Sequence, residues 1–383
     1  MPSESRTIIN NIAELIEIPS VSSVSPEWDM PNQPVIDWLA ERLEAGGWRV
    51  ELIEVPDKPG KTNLLATLGR GTGGLVLAGH TDTVPCDPER WNSDPFTLAQ
   101  RDNRLYGLGT ADMKSFLALA MAACADLDAS ALKVPLMLLA TADEESTMAG
   151  ARALVAAGRP IASFAVIGEP TGLKPVRLHK GILMEAIRVE GRSGHSSDPS
   201  LGANALEGMH EIIAALLRWR DRLQAQRSDA TFAVPVSTMN LGHIRGGDNP
   251  NRICGSCELH IDVRMLPGLD RQALREALRK ESREAVTNDQ LFVHFESLFD
   301  GVDPMCTAPE SKLVRVAEQL TGSPAEGVAF ATEAPFLANL GMEVVVLGPG
   351  HIDQAHQPDE YLELGQIPRT IELLQALIRR FCL

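Results

Sequence analysis

The sequence predicts a two-part α/β protein: a discontinuous domain on a mostly parallel sheet, interrupted by a ferredoxin-like α+β domain. Three observations lead there. Apolar runs of strand length alternate with helical patterns over residues 1–180; a βαββαβ succession fills 181–300; the α/β rhythm then returns over 301–383.

The chain opens with two helical patterns, Ile8, Ile12, Leu15 and Ile16, then Ile36, Leu39 and Leu43 before the Gly46–Gly47 stop. Five apolar runs follow, "WRVELIEV", "NLLATLG", "GLVLAGH", "VPLMLLAT" and "FAVIGE", with helical patterns near 114–127 and 147–157 between them. Strands buried on both faces and alternating with helices indicate a largely parallel sheet. Gly69, Gly71 and Gly74 match G-x-G-x-x-G, but they lead into the apolar run "LVLAG" and not into a helix, so they read as a turn between strands. "ILMEAIRVE" (182–190) reads as a half-exposed strand, followed by a helix over about 202–223, strands at 236–244 and 253–264, a helix near 270–285 and a strand at 290–299. After Pro304 come a helix near 310–320, the strand "EVVVLG" and a closing helix from about 365. Hinges are expected near Lys180 and Asp300.

Composition narrows the function classes. The chain has 383 residues, 44% hydrophobic and 22% charged, too long for one ordinary core and balanced like a soluble protein. A formal net charge of −16 argues against nucleic acid or an anionic membrane as partner. No run approaches a membrane span, and the N-terminus reads as an amphipathic helix in place of a secretory signal, so a cytoplasmic location is the expectation. Six cysteines are too sparse for a disulfide scaffold. Cys254 and Cys257 form a lone C-x-x-C inside a strand pattern and read as reduced structural thiols.

The polar residues that end the apolar runs carry the chemistry. His80 and Asp82 end one run, Asp143, Glu144 and Glu145 the next, Glu169 another, and "EVVVLG" leads to His351 and His356; Asp112 stands at a helix start between the first two. Strand carboxyl ends converge on one crevice in open α/β sheets. Each residue alone has a bland reading: a hydrogen-bonded histidine for His80, a helix cap for Asp112, a solvated helix start for Glu144 and Glu145, a turn for Glu169, loop surface for the last two histidines. Their coincidence at one end of one sheet outweighs those readings. Histidines and carboxylates without a thiolate suit Zn²⁺, Co²⁺ or Mn²⁺, and their number suits two ions.

The motifs "GHTDTVP", "GLGTADMK", "TADEE", "GEPT" and "GHSSDP", in this order, resemble the co-catalytic zinc aminoacylases and carboxypeptidases, and the likeness runs from "LIEIPSVS" to "AHQPDEYL". The resemblance implies a zinc-peptidase-like catalytic domain with an inserted lid and dimerisation domain. It implies two divalent ions, Zn²⁺ or Co²⁺, bridged by Asp112, with His80 and Glu169 completing one site and Glu145 and His356 the other. His351 has no counterpart there and is left as surface. By the same likeness Glu144 is the general base, Asp82 hydrogen-bonds the far nitrogen of His80, the Asp112–Met113 peptide is cis, and His195 acts in trans in a homodimer. "GLGTADMK", "TADEESTMAGAR", "ATEAPF" and "AHQPDEYLE" look closest to the members that deacetylate N-alpha-acetyl-L-ornithine for arginine biosynthesis, whereas desuccinylases of the family carry an arginine where Leu108 stands. For a small N-acetylated amino acid, Asn251, Arg252 and Arg264 are candidates for its carboxylate, and Glu333 for the distal amine. Competing expectations are another N-acyl-amino-acid amidohydrolase, succinyl-diaminopimelate desuccinylase, or a non-catalytic metal-binding protein.

Overall fold

The computed structural model describes residues 3–383. The chain forms two compact units: one of residues 1–177, 307–326 and 332–383, the other of 178–306 and 327–331. The expected borders at 180 and 300 lie a few residues inside these. Met305 and His179 are paired in neighbouring strands, so the first two crossing points fall in strands close to the expected hinges.

In the first unit the strands order as Arg49–Glu54, Thr62–Leu68, Leu136–Thr141, Leu75–His80, Phe164–Pro170 and Glu343–Gly348. The last four run parallel to one another, while the first two are antiparallel additions at the edge. Parallel strands buried on both faces need unbroken apolar runs; Leu75–His80 and Leu136–Thr141 are buried at every position. Register aligns the ends that matter: His80 pairs with Thr141, and Gly348 with Pro170. Gly69, Gly71 and Gly74 all have positive φ and join two strands, as the absence of a following helix predicts.

The helix Lys114–Ala123 is buried on nearly every side and packs on this sheet. A helix apolar all round belongs inside a core. Its close approach depends on Gly168, where a Cβ would lie 2.0 Å from the Phe116 ring. Ser311 caps the helix Lys312–Thr321 by accepting from the Leu313 and Val314 amides, and Gly322 at φ 70° ends it. A small sheet of Ala99–Arg101, Arg104–Tyr106 and Tyr361–Glu363 escaped the sequence reading, because three-residue strands carry no usable periodicity.

The second unit has the expected ferredoxin-like topology. Its sheet runs Thr238–Gly246, Ser256–Met265, Gly181–Glu190, Phe292–Val302, all antiparallel, with the helices Ala205–Gln226 and Arg271–Ala285 between strands in sequence. Gly181–Glu190 is mostly buried, more so than "half-exposed" allows, since it lies between two partners in the sheet. Glu185, 1% exposed, accepts from Arg275 Nε at 3.1 Å and so ties a helix to this strand. Cys257 is in strand and Cys254 just before it; both are buried free thiols.

Candidate metal centre

The carboxyl ends of the parallel strands gather the predicted side chains. His80 ends its strand with Nε2 3.1 Å from Asp112 Oδ1 and 3.9 Å from Glu169 Oε1. The other oxygen, Asp112 Oδ2, is 3.6 Å from His356 Nε2, which in turn lies 3.0 Å from Glu145 Oε2. Asp112 thus faces a histidine with each oxygen, the disposition of a bridging carboxylate. Ligand atoms of His80, Glu144 and Glu169 lie within 4.8 Å of one another, as do those of His80, Asp112 and Glu145. Asp112–Met113 is cis, as the resemblance implies.

Electrostatics explain why such a cluster needs cations. Burial lifts Glu144 and Glu169 well above the ordinary carboxylate range, Glu144 further through Glu169, and Glu169 further through Asp112. Glu145 is raised in the same way, by burial and then by Asp112. Burial alone would lower His80, but its hydrogen bond to Asp112 and the nearby charges of Glu169 and Glu144 raise it well above its usual value. The hydrogen bond to Glu145 carries His356 up to about 9. Four carboxylates set around two imidazoles crave positive charge, and oxygen and nitrogen donors without sulfur match zinc or cobalt. The residues present fit two divalent ions.

The first acid of the "DEE" triplet behaves differently. Asp143, at φ 62°, turns away to Lys58 and Lys61, each at 3.4 Å, and accepts from the Ser22 hydroxyl at 2.7 Å and from the Thr147 hydroxyl. Lysines neutralise that residue. Asp82 also departs from expectation. His80 Nδ1 donates to the main-chain carbonyl of Asp82 at 2.9 Å, while the Asp82 carboxylate is 3.9 Å from that nitrogen. A carbonyl fixes the imidazole tautomer as well as a carboxylate does. The turn after the strand brings the carbonyl nearer, and the carboxylate instead accepts from the Glu145 amide at 3.0 Å.

Glu333 is 1% exposed beside this cluster, and among the described residues no hydrogen bond of good geometry reaches either of its oxygens or the neighbouring Thr141 hydroxyl. Burial pushes it up to about 7 against the pull of Thr141 and His80. His351 is exposed and makes a bridge with Thr171. Glu360 was not singled out from the sequence: its buried carboxylate accepts three main-chain amides from the loop that carries Asp112. Burial lifts it to about 8. The motif "AHQPDEYL" contains it, but nothing local marks a residue whose partners lie some 250 positions away.

In the second unit, His195 and Arg252 form an isolated bridge, and Ser196 N donates to Asn251 O at 3.1 Å, so these three residues share one exposed loop pair. Ser197 N donates to His195 Nδ1 at 3.2 Å, which leaves the ring proton on Nε2. Arg252 pairs with Asp248 at 2.8 Å, and Arg264 Nε lies 3.1 Å from both oxygens of Asp262.

The family model described as peptidase family M20/M25/M40 matches residues 76–380. The chain belongs to peptidase family M20/M25/M40. Among similar proteins is the acetylornithine deacetylase of Proteus mirabilis, 48% identical over 377 residues, covering 98% of this chain and 97% of that protein. Solved structures share the fold: an M20 family metallo-carboxypeptidase, Sso-CP2 of Sulfolobus solfataricus, aligns with TM-score 0.76 at 19% identity over 99% of both chains. The Bacillus subtilis YXEP protein, described as a dinuclear metal-binding M20 peptidase, aligns with TM-score 0.68 at 16% identity, again over 99% of both.

Proposed function

We infer that this chain is a metal-dependent amide hydrolase that removes the acetyl group from N-alpha-acetyl-L-ornithine, releasing L-ornithine and acetate in arginine biosynthesis. The observation that carries the reading is the carboxylate–histidine cluster bridged by Asp112, in a chain nearly half identical, end to end, to an acetylornithine deacetylase. Its cofactors are two divalent ions, Zn²⁺ or Co²⁺. His80, Asp112 and Glu169 are assigned to one ion, and Asp112, Glu145 and His356 to the other. Bound there, the ions supply Lewis acidity that favours hydroxide over water at neutral pH and polarises the amide carbonyl.

The remaining steps belong to the protein's own groups. Glu144, buried among the ligands, takes a proton from the attacking water and returns it to the departing amine, without which the amine cannot leave. Asp82 positions the Glu144–Glu145 turn through the Glu145 amide. The Nε2 proton of His195 is available to an oxyanion, and by resemblance it acts in trans within a homodimer. Asn251, Arg252 and Arg264 are assigned to the substrate carboxylate; with its Nε on Asp262, Arg264 keeps its terminal nitrogens for a bidentate contact. Glu333, a buried carboxylate whose oxygens accept no hydrogen bond of good geometry among the described residues, is assigned to the distal ammonium. Among the described residues no helix is long and apolar enough to cross a membrane, and the proposed location is the cytoplasm.

The test is a panel of N-acyl amino acids given to metal-free protein reconstituted with zinc or cobalt. Metal-dependent acetate release should be fastest from N-alpha-acetyl-L-ornithine. Preference for a succinylated substrate would transfer the assignment to a desuccinylase, and no turnover of any substrate would leave a metal-binding protein without catalysis. Glu333→Gln should impair acetylornithine turnover more than that of an uncharged acetyl-amino acid; equal losses would remove Glu333 from the amine site.

A further inference from the structure

The bridging ligand, Asp112, sits in a loop with little regular structure of its own, between the strand Arg104–Tyr106 and the helix Lys114–Ala123. A carboxylate shared between two ions must be held more firmly than a loop ordinarily is. The loop's amides show what holds it. Gly109 N donates to Glu360 Oε2 at 3.1 Å, and Ala111 N and Asp112 N donate to Glu360 Oε1 at 2.7 and 3.0 Å. Gly107 N donates to the main-chain oxygen of the same residue at 3.1 Å. Gly109 adopts φ 88°, which lets the loop curl around a single acceptor. Glu360 itself is 1% exposed and follows His356 by four residues, on a segment where Asp359 accepts from Asn92 N at 2.9 Å. Lys114, 1% exposed at the far end of this loop, donates to Ile18 O at 2.6 Å.

We propose that Glu360 is the positioning residue of the metal centre: by collecting three amides of one loop it fixes the backbone of Asp112 and couples it to the segment that carries His356, without touching either ion. An amide side chain cannot substitute. Its one carbonyl oxygen can serve Ala111 and Asp112 or Gly109, and its NH₂ would meet an N–H head-on. The proposal rests on the two-ion reading of the site and deepens it.

The experiment titrates Zn²⁺ and Co²⁺ into metal-free full-length protein against a chromophoric chelator, for wild type, Glu360→Gln and Glu360→Asp. Glu360→Gln should lose about 10–100-fold in affinity for at least one of the two ions, the usual effect of removing a ligand's supporting hydrogen bonds. The visible spectrum of its fully cobalt-loaded form should differ from wild type, and its turnover should recover when metal is in excess. Glu360→Asp, which keeps the charge on a shorter stem, should fall between the two. A variant that melts earlier but keeps both stepwise affinities and the cobalt spectrum would show Glu360 to be packing alone and overturn the proposal. Failure of both variants to fold would do the same. A wild-type chain that takes up neither ion would overturn the two-ion reading itself, and this proposal with it.

Discussion

Asp143→Asn separates the two ways in which this chain neutralises adjacent acids. The substitution is close to isosteric, and asparagine tolerates the left-handed φ of 62° found there, so the backbone turn presenting Glu144 and Glu145 is left alone. The amide oxygen can still accept from Ser22, and the Thr147 hydroxyl can rotate to accept in place of donating. What disappears is the negative charge facing two lysines. Stripping one member from a buried ion pair costs about 3–5 kcal/mol when the partner is stranded. Lys61, 2% exposed, is not wholly stranded because Asp29 remains at 2.7 Å. Lys58, with 31% of its side chain exposed, is screened by water and adds little. The net loss expected is therefore about 2–3 kcal/mol, or a melting temperature lower by about 4–12 °C at 2–4 °C per kcal/mol. Differential scanning calorimetry on metal-free and metal-loaded protein reads it, and elemental analysis reads the metal content. The loss should be the same with and without metal, and two ions should still bind. An unchanged melting temperature, or a fall in metal content, would refute the claim that lysines alone balance Asp143.

Three further outcomes follow from the structure. Glu144→Gln should reduce turnover by about 10²–10⁴-fold while elemental analysis still finds two ions per chain; metal lost along with activity would make Glu144 a ligand. His179, fully buried, is held near 4 by burial against the smaller lift of its bond to the Lys180 carbonyl, below the ordinary 6.5. An unfolded chain then binds the extra proton more readily, so this residue erodes stability as pH falls from 6.5 towards 4, by about 3 kcal/mol at the lower end. His179→Gln should flatten that part of the acid limb in denaturant melts, and an unaltered pH profile would count against a neutral buried imidazole. Mixing His195→Ala chains with Glu144→Gln chains should restore part of the activity in verified mixed dimers, whereas dead mixed dimers would place His195 in its own chain's chemistry or outside chemistry altogether.

The candidate ligand set is legible in the sequence because its residues sit where apolar runs stop. His80, Glu169 and the Glu144–Glu145 pair were found by following "GLVLAGH", "FAVIGE" and "VPLMLLAT" to their ends, and the parallel register then brings those ends level. Asp112 and His356 lie on loops, so their place depended on motif resemblance as much as on periodicity. What stayed hidden were partnerships across long stretches of chain. Asp143 stood at the strand end with no role assigned, because nothing near it in sequence announces Lys58 and Lys61. Glu360 was invisible for the same reason, its three amides lying about 250 residues earlier. The exchange of the Asp82 carboxylate for its own carbonyl at His80 turns on the torsions of two residues, a detail below the resolution of any hydrophobic pattern. The short sheet that carries Tyr361 next to Tyr106 was missed because its strands are brief, yet it is what brings Glu360 alongside Gly107.

The first unit is assembled from stretches on both sides of the second, and this sets a timetable for the nascent chain. His80, Asp112, Glu145 and Glu169 leave the ribosome before residue 178, whereas the strand Glu343–Gly348 and His356 emerge only after the whole intervening unit has been made. Until that strand is made, a bundle of acids waits beside a sheet that lacks its last parallel member. A chain broken off after Glu169 but before His356 would keep four of the five candidate donors and lack the histidine assigned to the second ion.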